Sequence, residues 1–101
     1  MYNNGFSVPK NESKAFDLYL NAAEQGDKDG QFLLAGMYAN GITKPKDYKQ
    51  AFFWYLKSAE QGDIGAQTNL GIMYENGIGT EINLKKARYW YKKAVEQGRA
   101  D

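Results

Sequence analysis

Apolar residues recur along this chain at helical spacing. After Asp63, the residues Ala66, Leu70, Met73 and Tyr74 fall at i, i+4, i+7 and i+8, which is one face of a helix. Asn76-Gly77 then stops it, because glycine suits the left-handed conformation of a helix end. Asn83 can cap the next helix, whose apolar face is Ala87, Trp90, Tyr91, Ala94 and Val95. Asp47 is the matching cap for a helix with Ala51, Trp54, Tyr55 and Ala59 inward. Asn11 is the cap for one carrying Ala15, Leu18, Tyr19, Ala22 and Ala23. The spacing thus predicts five helices, near 11–25, 28–39, 47–61, 64–75 and 83–97, with no strands: an all-α chain.

The pattern repeats with a period of 36 residues. Glu-Gln-Gly occurs at 24–26, 60–62 and 96–98, Met-Tyr at 1–2, 37–38 and 73–74, and Asn-Gly at 4–5, 40–41 and 76–77. Residues 27–62 and 63–98 agree at sixteen positions without a gap, which chance does not produce in one phase. Two helix types alternate: type A ends in Met-Tyr-x-Asn-Gly, and type B ends in Glu-Gln-Gly. The turns after B are very short (Gly26-Asp27, Gly62-Asp63), which makes the joined helices antiparallel neighbours. The loops after A are longer and carry Pro9 and Pro45, which resist helix continuation. Ala15, Ala51 and Ala87 stand at fixed phase beside large aromatics, so helices can approach and interlock. Such units stack in a line rather than closing around one centre. The units are 1–26 (its second helix only), 27–62 and 63–98, with 99–101 as a tail, in one solenoid domain. The expected repeat core is Ala15, Tyr19, Leu34, Tyr38, Ala51, Trp54, Tyr55, Leu70, Tyr74, Ala87, Trp90 and Tyr91.

Composition removes several function classes. The chain has no cysteine and no histidine, so disulfides, Cys/His zinc sites, a Ser–His–Asp triad and a histidine base are impossible. No cofactor is expected. No apolar run reaches the ~18 residues needed to span a bilayer, and the start lacks signal-peptide character, so cytoplasm is the default location and membrane insertion is not expected. A net charge of +1 gives no electrostatic case for nucleic acid.

The residues resemble the Sel1-like repeat, a relative of the tetratricopeptide repeat. The resemblance rests on Ala66, Leu70-Gly71, Tyr74, Gly77, Gly79, Lys86-Ala87, Trp90-Tyr91, Lys93-Ala94 and Gln97-Gly98. The middle unit agrees through Leu34, Tyr38, Gly41, Ala51, Trp54-Tyr55, Lys57 and Gln61-Gly62. It departs at Gly30, where alanine is usual, and at Ala35-Gly36, where the glycine is shifted by one. The resemblance implies an α/α solenoid that acts as a non-catalytic protein-interaction scaffold or adaptor, of the kind found in bacterial and eukaryotic complexes, with a protein or peptide partner. In such arrays the type-A helices are expected to line the concave side. The candidate binding residues there are Gln31, Phe32, Leu33 and Gly36, then Gln67, Thr68, Asn69, Ile72 and Glu75. Phe32 and Leu33 replace Thr68 and Asn69 at the same phase, as a groove would use; covering an incomplete first unit is the competing role. Gln31 and Gln67 could instead bond a neighbouring loop carbonyl. Phe53 and Tyr89 point outward.

The alternative function is a structural or self-assembly module. The first unit lacks most of its type-A helix, so Phe16, Tyr19 and Leu20 are expected to lose cover, and the chain is expected to be a fragment of a longer array or to be covered by another copy. Charge is uneven in that direction: residues 10–29 carry net −2 and residues 81–101 net +3, the latter including Lys85, Lys86, Arg88, Lys92 and Lys93 on one type-B helix. A remote alternative is a β-lactam or cell-wall enzyme, from Ser7-Val8-Pro9-Lys10, a Ser-x-x-Lys pattern; it needs the serine at a helix start, whereas Pro9 is expected in a loop. Asn11-Glu12-Ser13 fits a glycosylation acceptor.

Overall fold

The computed structural model describes the backbone of residues 9–99 and the side chains of residues 12–98. Five α-helices follow one another: α1 (Pro9–Glu24), α2 (Lys28–Asn40), α3 (Tyr48–Glu60), α4 (Ile64–Asn76) and α5 (Leu84–Arg99). There is no strand among the described residues. α1, α3 and α5 are the type-B helices, and α2 and α4 are type A.

The helix ends follow from local chemistry. Asp27, Asp47 and Asp63 sit in extended backbone, and each carboxylate accepts from the amide three residues on. Asn83 does the same for Lys86 at 3.0 Å, so α5 begins where the sequence puts it. α2 and α4 end at Gly41 and Gly77, both near φ +70, with their amides returned to the carbonyls of Met37 and Met73. The first helix departs from expectation. It begins at Pro9, two residues before Asn11, so Asn11 lies inside the helix and is not its cap, and Pro9 is not in a loop. Proline fits there because a first-turn amide has no helical acceptor anyway. Lys10 therefore lies in α1, while Ser7 lies outside the described residues. α5 runs on to Arg99, one residue into the stretch assigned to a tail.

Helices pack most extensively within A–B pairs, α2 on α3 and α4 on α5; α1 packs on α2, and α3 on α4. The stack measures 40 × 30 × 29 Å. One buried cluster runs through Ala35, Ala51, Tyr55, Ala59, Ala66, Leu70, Met73, Tyr74, Ala87 and Trp90. A second, around Phe16, Ala23, Leu34 and Met37, seats α1 on α2. Leu34 and Leu70 are wholly buried, and each stabilises by about 1.5–3 kcal/mol. The 36-residue period thus marks buried positions between consecutive helices in an α/α solenoid.

Some expected core residues are only half-buried: Ala15, Tyr19, Tyr38, Trp54 and Tyr91. Leu18 and Val95 are not core at all, at 66% and 50% exposed. Leu18 shares the phase of Trp54 and Trp90, which pack toward the helix pair before them, and no described helix precedes α1. Val95 shares the phase of Ala23 and Ala59, which the following type-A helix covers. Phe16, expected to lose cover, is buried, with Tyr38 edge-on at 5.6 Å and Lys44 Nζ over its ring at 5.2 Å.

Candidate functional site

The consecutive units are tied by side-chain amides. Gln61 Nε2 donates to the carbonyl of Gly26 at 2.8 Å and to Gln31 Oε1 at 2.9 Å, while Gln31 Nε2 donates to the Ala23 carbonyl. One period later Gln97 Nε2 donates to the Gly62 carbonyl, and Gln67 Nε2 donates to Gln97 Oε1 and to the Ala59 carbonyl. Gln31 and Gln67 are 3% and 1% exposed. This corrects their placement on an outward binding face: they are internal ties, bonded to carbonyls at the ends of the preceding type-B helices. Burial is sustainable because the amides find partners. Within the middle unit Ser58 ties α3 to α2, donating to the Lys28 carbonyl at 2.8 Å.

Phe32 and Leu33 separate in role. Leu33 is 41% exposed. Phe32 is half-buried and packs forward rather than over the first unit: its ring meets Tyr55 edge-on at 5.7 Å, and a Cβ added at Gly65 would lie 2.9 Å from its Cε1. A side chain at Gly65 would therefore displace Phe32.

The shifted glycine of the middle unit shapes what lies beside Phe32. In the third unit, Gly71 leaves room for the Tyr91 ring, whose Cε1 would stand 2.5 Å from a Cβ there; the Tyr91 hydroxyl then donates to Glu75 at 2.8 Å. In the middle unit Ala35 occupies that place. The Tyr55 hydroxyl instead lies 3.5 Å from the Cβ position of Gly36, and Ala39 stands where Glu75 would accept from it. A cavity of about 510 Å³ opens there, between α1, α2 and α3. Its walls are Ala15 and Tyr19 of α1, Phe32, Leu33, Gly36 and Met37 of α2, and Tyr55 of α3, with Glu12, Asn40 and Ile42 completing the lining.

Of the residues singled out from sequence, the structure brings Phe32, Leu33 and Gly36 to this cavity. It adds Tyr19 and Tyr55, read from sequence as core, and Met37 and Ile42. On α4, Thr68, Ile72 and Glu75 are exposed and Asn69 is half-buried; none of them lines the cavity. Burial raises the Tyr55 phenol above its ordinary value of 10.0. Tyr91 is raised by burial first, then by its hydrogen bond to Glu75 and by that charge. Among the described residues no group of three or more His, Cys, Asp or Glu could hold a metal ion. No described helix is long and apolar enough to cross a membrane.

Comparison with known proteins agrees with the repeat read from the residues. Residues 1–27, 28–63 and 64–98 each match the Sel1 repeat. A Sel1 repeat protein from Oxalobacter formigenes has 38% sequence identity and a TM-score of 0.77, over 79% of this chain and 23% of that chain. A protective antigen present in uropathogenic Escherichia coli strains, displaying an SLR fold, has 42% identity and a TM-score of 0.79, over 82% of this chain and 18% of that one. The chain therefore spans about a fifth of the length of these two bacterial relatives. Cysteine rich protein B of Helicobacter pylori, at 23% identity and a TM-score of 0.69, covers 94% of each chain and shares the fold. No curated protein matches the sequence. Sel1 repeat proteins are generally protein-interaction scaffolds. Three consecutive matches, the 36-residue buried phase and the shared solenoid together show that this chain belongs to the Sel1 repeat family.

Proposed function

We propose that this chain is a non-catalytic protein-binding module whose contact site is the cavity between α1, α2 and α3. The observation that carries the reading is the apolar lining of that cavity by Tyr19, Phe32, Met37 and Tyr55, open to solvent at Leu33. A partner segment would seat an apolar side chain there and continue over Thr68, Asn69, Ile72 and Glu75 of α4. The Tyr55 hydroxyl, which has no hydrogen bond among the described residues, and the Asn40 amide region are the polar groups able to fix its register. The walls are held by helices tied through Gln31, Gln61 and Ser58, so little ordering is lost on binding.

A photo-reactive residue at Leu33 tests this in cells of the source organism, with the same residue at Glu24, exposed at the end of α1 and outside the cavity lining, as control. A protein adduct at position 33 and none at the control position supports the reading. Equal adducts at Leu33 and Glu24, or none at Leu33, overturns it.

A second reading, end-to-end assembly with further repeats or another copy, is favoured by Val95. It is 50% exposed where Ala23 and Ala59, at the same phase, are 2% exposed. Sedimentation of wild type against Val95→Glu tests it: concentration-dependent association lost in the variant supports it, and a wild-type monomer at high concentration removes it.

A further inference from the structure

On the type-B helices two rows of residues repeat one period apart: Lys49, Phe53 and Lys57 on α3, and Lys85, Tyr89 and Lys93 on α5, each at i, i+4 and i+8. All six are exposed, Phe53 by 46% and Tyr89 by 51%. In each row the following lysine stands over the ring, Lys57 Nζ at 5.3 Å and Lys93 Nζ at 5.7 Å. Each ring meets the next tryptophan edge-on, Phe53 on Trp54 at 4.9 Å and Tyr89 on Trp90 at 5.0 Å. Packing against tryptophan and lysine stems fixes these rings in place. It does not neutralise the lysines, none of which pairs with a carboxylate among the described residues.

Lys85 and Tyr89 of the α5 row border a groove of about 490 Å³ between α3 and α5, floored by Leu56, Tyr74 and Trp90, with Lys86 on the same rim. Lys86 Nζ lies over the Tyr74 ring at 5.6 Å. The one carboxylate in the groove, Glu60, offsets a single lysine and leaves the surface positive. An apolar floor with uncompensated cations alongside complements one shape and one charge: a helix with an apolar stripe and carboxylates beside it. A nucleic acid would meet the cations but leave the apolar floor unused. A bilayer surface would ask for protruding apolar tips, whereas these rings lie against tryptophan and under lysine.

We propose that the α3–α5 groove is a second docking surface, separate from the α1–α2–α3 cavity, and that its occupant is an acidic amphipathic helix of a partner protein. The test uses the whole chain and a synthetic peptide of about eighteen residues with leucine at helical spacing and glutamate elsewhere. Two controls carry the same charge: a scrambled peptide without the apolar stripe, and a single-stranded oligonucleotide. Vesicles of anionic phospholipid are the third. Amide shifts in the isotopically labelled chain are expected at Leu56, Tyr74 and Lys85 through Trp90, weakening as salt is raised. Lys85→Glu with Lys93→Glu is expected to weaken binding by about tenfold or more, and Tyr89→Ser to weaken it also. Leu18→Asn, on α1 and outside both the groove and the cavity, is expected to leave the affinity for this peptide unchanged. All these positions are exposed, and circular dichroism verifies that each variant is folded. Absence of shifts, equal binding of the scrambled peptide, tighter binding of the oligonucleotide or vesicles, or full affinity in the lysine pair variant would overturn the proposal. Shifts localised in the wild-type chain decide the matter even where a variant fails to fold.

Discussion

Gln67 donates a 2.7 Å hydrogen bond to Oε1 of Gln97, and one period earlier the same contact joins Gln31 and Gln61 with donor and acceptor exchanged. The exchange has a cost. Both amide atoms of Gln31 are used, whereas Oε1 of Gln67 is buried with no partner. Gln31→Ala should therefore destabilise by about 2–3 kcal/mol, and Gln67→Ala by about 1 kcal/mol less, because it also removes an unsatisfied oxygen. Urea unfolding of the two variants checks the order. Equal losses would mean that the two amides are equally satisfied.

Gly71 and Gly36 should respond in opposite ways to alanine. A methyl at Gly71 meets the Tyr91 ring at 2.5 Å, so Gly71→Ala should lose about 1–3 kcal/mol despite the better helix former. At Gly36 the nearest atom is the Tyr55 hydroxyl at 3.5 Å, an ordinary contact, and Gly36→Ala should gain up to about 1 kcal/mol. Gly36→Ala should also narrow the cavity and weaken any partner bound there. Thermal melts and a binding assay on the same two proteins separate the effects.

Thr43 holds φ +66 where the next unit has Gly79 at φ +72. A β-branched residue in the left-handed region is strained. Thr43→Gly should stabilise the chain by about 1 kcal/mol, while Gly79→Ala should destabilise it, since its Cβ would collide with the Tyr48 carbonyl. Denaturation midpoints give both signs.

Tyr38, Tyr55, Tyr74 and Tyr91 all have phenols raised above 10.0, burial being the first cause in each. The native chain therefore keeps these protons where the unfolded chain has lost them. The stability they support is complete below pH 10 and falls as pH rises through the native values. Glu75→Gln removes the carboxylate that accepts from Tyr91, so that phenol should titrate lower than in wild type. Phenolate absorbance during a base titration measures both effects.

The five helices were legible because periodicity is local: Leu34, Leu70, Ala51 and Ala87 carry the buried phase in their own neighbourhoods. Gln31 and Gln67 read either as binding residues or as partners of a neighbouring carbonyl, for the complementary reason. A glutamine looks like a surface residue, and what buries it is a second glutamine thirty residues away. Pro9 looked like a loop because proline breaks helices, yet at a first turn it starts one. The cavity left one visible trace, the glycine moved from the Gly71 phase to Gly36. That shift turns Tyr55 away from the position Tyr91 takes, which the pattern of apolar residues does not record. Leu18 and Val95 fit the apolar period, and their exposure depends on which helices lie beside them.

The binding role of the α1–α2–α3 cavity is tested most directly by mapping amide shifts in the labelled chain with a peptide selected against it from a random library, in wild type and in Leu33→Asn. Shifts centred on Tyr19, Leu33, Gly36, Met37 and Tyr55, with affinity reduced about tenfold by Leu33→Asn, are the expected result. Shifts gathered elsewhere on the stack, or unchanged affinity in Leu33→Asn, would contradict it.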